Sequence, residues 1–135
     1  MEYNETNLKL ISELIKKHLK PDLLPKKWQT KNFTNPTFGH CHNAAGCLYK
    51  IFGQDYIQMY RGLDDENFWH WWVMDVNNKL IDLTSNQYTN YGRIPPYDVG
   101  IKAWPLGYEY KTRLMKLYDR VMNDYEKRNT LFDII

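Results

Sequence analysis

Residues 39–53 constrain this chain more than any other stretch. Gly39-His40-Cys41-His42-Asn43-Ala44-Ala45-Gly46-Cys47-Leu48-Tyr49 reads as a loop that turns into a helix with a cysteine at its start. Asn35-Pro36 and Gly39 supply loop chemistry before it. Ala44, Ala45, Leu48, Ile51 and Phe52 recur at helical spacing after it, and Gly53 is a natural C-terminal stop. A thiol at a helix N-terminus sits beside unpaired N–H groups and the positive end of the helix dipole, and both favour the thiolate, the reactive form. Cys47 lies six residues further on in the same helix, on another turn and largely another face. An intramolecular disulfide is therefore not expected, and Cys47 is assigned to the core.

Around this centre the pattern predicts an α+β fold in one domain, residues 1–135. Leu8, Ile11, Leu14, Ile15 and Leu19 form the apolar stripe of a helix over residues 5–20, with Lys16, Lys17, His18 and Lys20 crowding its end and Pro21 stopping it. Residues 21–39 read as a long irregular segment. Strands are predicted over Asp55–Arg61, Phe68–Val76 and Lys79–Thr84, a three-stranded antiparallel meander. Residues 85–107 carry turn chemistry with aromatic anchors, and a short further strand is possible around Gly100–Trp104. A second long helix spans 108–127, with Leu114, Leu117, Tyr118, Val121 and Tyr125 on one face. The tail Leu131-Phe132-Asp133-Ile134-Ile135 is apolar enough to dock on the core or on a protein partner.

Composition removes several function classes. A net charge of +2 gives no strong electrostatic case for nucleic acid or a membrane surface. No long apolar run and no leader-like start are present, so a cytoplasmic location is expected. No cofactor is implied. His40, Cys41, His42 and Cys47, closed by His70, form a conceivable zinc set. Adjacent His-Cys-His residues converge poorly on one tetrahedral ion, however, and no Cys-x-x-Cys pair exists.

Nucleophilic catalysis by cysteine needs a base within hydrogen-bond reach and a third group that orients the base. Cys41, His70 and Asp82 meet this requirement in the order helix, strand, neighbouring strand, as in papain-type enzymes. The hairpin between the strands tests the idea. A two-residue loop at Asn77-Asn78 would put Asp82 on the opposite face from His70, because strand faces alternate. A three-residue loop, Val76-Asn77-Asn78, pairs Asp75 with Lys79 and sets Asp82 against Trp72, diagonally next to His70 on its own face. The triad therefore predicts a three-residue turn or a bulge, and Asn78 is able to supply the left-handed residue that such a loop needs.

His70-Trp71-Trp72-Val73 followed by Ile81-Asp82-Leu83-Thr84 resembles the transglutaminase-like signature, in which His-x-Trp opens one strand and Asp-x-Thr closes the next. Gly39-His40-Cys41 before an alanine-containing helix resembles that superfamily's nucleophile segment. The resemblance spans roughly residues 38–88. It implies a minimal papain/transglutaminase-like core: a cysteine-bearing helix packed on a small antiparallel sheet, flanked by N- and C-terminal helices. Cys41 would be the nucleophile, His70 the base and Asp82 its orienting residue. The chain is also similar to small phage proteins with a Gly-His-Cys segment, a His-Trp-Trp strand and an Asp-x-Thr strand end, which would put it in a host cytoplasm.

The second oxyanion donor, beside the backbone N–H of Cys41, is sought in Asn35, Gln29 or Asn32. His40, His42, Trp69, Trp72, Tyr88 and Trp104 are candidates for the substrate cleft. The expected activity is that of a cysteine-dependent hydrolase or acyltransferase acting on a protein, a peptide or a small amide or ester. The alternatives are a non-catalytic binding or inhibitor protein on the same scaffold and the zinc module.

Overall fold

The computed structural model describes residues 1–29, 39–105 and 107–134. Helix α1, Glu5–His18, begins where the Asn4 side chain accepts the backbone N–H of Asn7 at 2.8 Å. It buries Leu8, Ile11, Leu14 and Ile15, the predicted stripe. Its basic end does more than face solvent: Lys17 and His18 both reach Asp124, each at 2.8 Å, and fasten α1 to the C-terminal helix. A 3₁₀ turn at Pro21–Leu23 follows.

Helix α2, Cys41–Phe52, is buried around its whole circumference from Cys41 to Leu48. The run Ala44-Ala45-Gly46-Cys47 makes this possible, because small side chains let neighbouring backbones close in from all sides. A β-carbon on Gly46 would stand only 2.1 Å from Leu114 Cδ1. Gly53 ends the helix at φ +89°, its N–H donating to the Tyr49 carbonyl.

The sheet comprises β1 (Ile57–Leu63), β2 (Trp69–Asp75), β3 (Leu80–Ile81) and β4 (Ile101–Ala103) in the order β3-β2-β1-β4, every pair antiparallel. Helix α2 lies on the face carrying Met59, Trp71 and Val73, and these close one core with α1 and with Leu117 and Val121 of α4 (Tyr108–Ile134). The opposite face, carrying His70 and Trp72, is covered by residues 82–100. These include the short helix α3, Asn86–Thr89, and a 3₁₀ turn at Tyr97–Val99. Two glycines let this cover settle on the strands: a β-carbon on Gly62 would meet the Pro96 carbonyl at 2.7 Å, and one on Gly100 would meet Trp72 Cζ2 at 2.4 Å.

The β2–β3 turn is the three-residue one. Val73 pairs with Ile81 and Met74 with Leu80, and the Asp75 N–H donates to Lys79 O at 2.9 Å. Asn78 is left-handed, with φ +62°. Asp75 stabilises the turn by accepting the N–H groups of Asn77 and Lys79, and Tyr3 donates to its other oxygen at 2.6 Å. Strand β3 is shorter than the predicted Lys79–Thr84. The Asp82 side chain accepts the Thr84 N–H at 3.1 Å and turns the chain out of the ladder. The C-terminal helix is longer than predicted: it runs to Ile134, so the apolar tail is its last turn and no separate segment, and Ile135 lies outside the described residues. Among the described residues, no helix is long and apolar enough to cross a membrane.

Candidate active site

Gly39, at φ +80°, turns the chain into α2 and packs against Leu24 and Trp28, each 3.0 Å from where its β-carbon would be. Any other residue there would be strained and crowded. Cys41 then occupies the first helical position, and the side chain of the N-cap residue, His40, makes no capping hydrogen bond. Cys41 is 8% exposed, and its Sγ lies 3.8 Å from the Trp69 carbonyl at the start of β2. The next residue in that strand is His70, close enough to Cys41 for the thiol to raise its proton affinity.

His70 is wholly buried, edge-on to Tyr88 and tilted against Trp72. Its Nε2 is 2.6 Å from Asp82 Oδ2. Asp82 is itself held by three more donors: Tyr97 O–H at 2.6 Å, Thr84 N–H at 3.1 Å and Thr84 O–H at 3.4 Å. A carboxylate so placed fixes the tautomer with Nε2 protonated, leaving Nδ1 to exchange a proton with Cys41. Burial alone would lower the His70 pKa. The hydrogen bonds from Asp82 and Cys41, with the charges those groups carry, outweigh it and raise the pKa to about 9. Imidazolium is thus the favoured form of His70 near pH 7. The Tyr97 hydroxyl is shifted upward by burial and by Asp82, so it acts as a donor only.

The predicted site residues divide. Cys41, His70 and Asp82 come together. Cys41, His42, Trp69 and Tyr88 line one cavity of about 300 Å³, together with Trp28, Trp71, Arg61, Arg93 and Gln87. His42 packs edge-on against Trp71, 4.6 Å between centroids. Burial depresses His42 to about 4, opposed by its hydrogen bond with Asn43, so its ring is neutral near pH 7. His40 does not reach the cleft: it is wholly buried as the residue preceding α2, with neither ring nitrogen hydrogen-bonded among the described residues, and burial lowers its pKa to about 4. Trp72 is also misplaced in the prediction. Strand alternation puts it on the His70 face, away from the cavity, where it packs on Tyr97 and Gly100. Trp104 is 55% exposed and outside the cavity lining. Gln29 gives its amide N–H to the Leu24 carbonyl at 3.2 Å and does not line the cavity, while Asn32 and Asn35 lie outside the described residues. Cys47 is fully buried and its thiol is pushed up to about 12 by desolvation. Among the described residues, no three His, Cys, Asp or Glu side chains converge as a metal site requires.

Two cavity residues escaped the sequence reading. Gln87, on α3, places its amide nitrogen 3.1 Å from His70 Nδ1 and 3.2 Å from the Thr84 hydroxyl. It shares with Cys41 the nitrogen through which the imidazole would work: its N–H donates when Nδ1 is unprotonated, and facing the imidazolium the amide must present its oxygen instead. Its only sequence signal is its position five residues after Asp82, across a turn. Arg61, on β1, stacks over Trp69 and Trp71, its guanidinium 4.1 Å and 5.5 Å from the ring centroids. That contact depends on pairing between β1 and β2, in which Arg61 opposes Trp71.

Fold and site together define an α+β protein in which a helix-start cysteine lines an aromatic cavity and lies next to a buried histidine–aspartate pair. The family model described as YunG protein matches residues 8–125, well over half of the chain, and the chain belongs to that family. No curated protein and no solved structure matches it.

Proposed function

We propose that this protein is a cysteine-dependent hydrolase or acyltransferase acting on an amide or ester through an acyl-thioester on Cys41. The observation that carries this reading is the buried His70–Asp82 pair, 2.6 Å apart, with the Cys41 thiol in reach of the ring and an open cavity beside it. A wholly buried charged pair is expensive to maintain unless each member is satisfied. Here the carboxylate has four donors, and the orientation they impose on the imidazole is the one a cysteine nucleophile needs. The arrangement also supports the transglutaminase-like resemblance, in which the same three residue types follow in the same order.

In the proposed reaction the Cys41 thiolate attacks the scissile carbonyl carbon. The carbonyl oxygen becomes an oxyanion beside the N-terminus of α2, where the Cys41 N–H donates to it. His70 delivers its Nδ1 proton to the leaving nitrogen or oxygen as that bond breaks, and the acyl group remains on sulfur. The neutral imidazole then removes a proton from the acceptor. Water as acceptor gives an acid, and an amine gives a new amide; either step restores the thiolate–imidazolium pair. Asp82 keeps Nε2–H fixed throughout.

The test is to trap the acyl-enzyme. The protein is mixed with a panel of activated esters and peptide amides, quenched in acid and weighed intact by mass spectrometry. The proposal expects an adduct of acyl mass on Cys41, absent in Cys41→Ser and reduced in His70→Ala. Adducts that form equally in wild type and His70→Ala would refute it.

A further inference from the structure

We propose that Arg61 is the docking point for a carboxylate on the acyl donor, so that the substrate class is an anionic amide or ester bearing a carboxylate close to its scissile carbonyl. This deepens the reading of Cys41 as nucleophile and rests on it. Three observations carry it.

The first is that Arg61 has charge to spare. The cavity holds two arginines and two carboxylates, Asp64 and Glu66. Arg93 serves the carboxylates: it lies 3.6 Å from each and also pairs with Asp65. Asp64 is further occupied by the Tyr88 hydroxyl at 2.8 Å and by the N–H groups of Glu66 and Phe68. Asp65 and Glu66 are 75% and 56% exposed, at the rim where water and salt screen them. Among the described residues, no carboxylate pairs with Arg61, and its buried Nε has no hydrogen-bond acceptor. Arg93 Nε is likewise without an acceptor, so what sets Arg61 apart is the missing carboxylate partner, whose place a ligand's carboxylate can take.

The second is orientation. Trp69 and Trp71 hold the guanidinium, its central carbon 4.1 Å and 5.5 Å from their ring centroids. Contact of this kind limits the freedom of the group, and a planar carboxylate can dock on its terminal N–H groups with two parallel hydrogen bonds. The third is position. Trp69 gives its ring to Arg61 and its backbone carbonyl to the Cys41 thiol, so the cation and the nucleophile rest on one residue of the same cavity.

The test uses maleimides as probes. N-carboxyalkyl maleimides with one to five methylenes are compared with N-ethylmaleimide for their rates at Cys41, read by peptide mass spectrometry, with buried Cys47 as internal reference. In wild type at least one carboxylate probe should react about tenfold faster than the neutral one, a modest part of what a charge-assisted pair supplies. That ratio should collapse toward one in Arg61→Gln and recover in part in Arg61→Lys. A ratio near one in wild type at every linker length, or a ratio unchanged in Arg61→Gln, overturns the proposal. Competition in the wild-type protein does not depend on any variant folding: N-acetylglycine should slow N-ethylmaleimide at Cys41 where N-acetylglycinamide does not, and equal effects also overturn it. The nucleophile reading fails on a different result, an N-ethylmaleimide rate that is the same in wild type and His70→Ala, whatever the ratio between probes.

Discussion

Asp82→Asn is the most informative single change. The amide has nearly the shape of the carboxylate, so packing is kept while charge and acceptor count fall. Thr84 N–H and O–H occupy Oδ1, and His70 Nε2 and the Tyr97 O–H share Oδ2. If the amide oxygen stays with Thr84, the NH₂ group faces two former donors. His70 must then accept at Nε2 and carry its proton on Nδ1, where it cannot take one from Cys41. The imidazolium also loses a charge-assisted hydrogen bond worth about 1.5–3 kcal/mol, which is roughly tenfold to hundredfold in proton affinity. Burial then dominates, and the His70 pKa falls from about 9 toward or below its ordinary value. Histidine NMR titration reads that fall, and the alkylation rate of Cys41 at pH 7 should drop by a similar factor of about 10–100. A folded Asp82→Asn protein whose Cys41 alkylates within twofold of wild type would refute the argument that Asp82 acts through His70.

Three further outcomes are expected. Cys41→Ser removes the thiol's hydrogen bond and its charge from His70, so the His70 pKa should move down from about 9; an unchanged titration would mean that the two side chains do not interact. Stability against pH should peak near pH 6.5. His70 binds its proton more tightly folded than unfolded, a contribution present below pH 6.5 and lost as pH rises toward 9, roughly 3 kcal/mol. His40 and His42, depressed to about 4, withdraw a similar amount each, roughly 3 kcal/mol, as pH falls from 6.5 toward 4. Urea denaturation across pH 4–9 should therefore show a steeper acid limb than alkaline limb, and a monotonic profile would contradict it. At the hairpin, Asn78→Val places a β-branched residue at φ +62° and should cost about 1–3 kcal/mol, whereas Asn78→Gly should cost little; equal midpoints in thermal melts would deny the turn its role in setting register.

The parts of this site that the chain reveals by itself are those fixed by local chemistry. A glycine before a cysteine and a helical run place Cys41. Strand period leaves two solutions for the hairpin, and the three-residue turn, with Asn78 left-handed, is the one that places the carboxylate on the His70 face. Asp82 also cut its own strand short by capping Thr84, a competition between side chain and ladder that residue type alone does not decide. Trp72 was assigned to the cleft although alternation already separated it from Trp69 and Trp71; what the sequence lacked was which face held the opening. Gln87 and Arg61 were illegible because their neighbours come from other elements. Nothing near Arg61 in the chain announces Trp71 across the ladder, and nothing near Gln87 announces Nδ1 of His70. His40 stood beside the cysteine in sequence, yet its side chain was drawn into the interior.

The central claim is that Cys41 is activated by His70, and the pH dependence of alkylation at Cys41 tests it most directly. Iodoacetamide labelling is followed from pH 5 to 10 in wild type and His70→Ala, with Cys41 and Cys47 resolved by peptide mass spectrometry. The account predicts that wild-type Cys41 keeps reacting well below pH ~8.5, where an ordinary thiol loses its nucleophile, and that this advantage disappears in His70→Ala while Cys47 stays inert in both. Superimposable Cys41 profiles in the two proteins would contradict it.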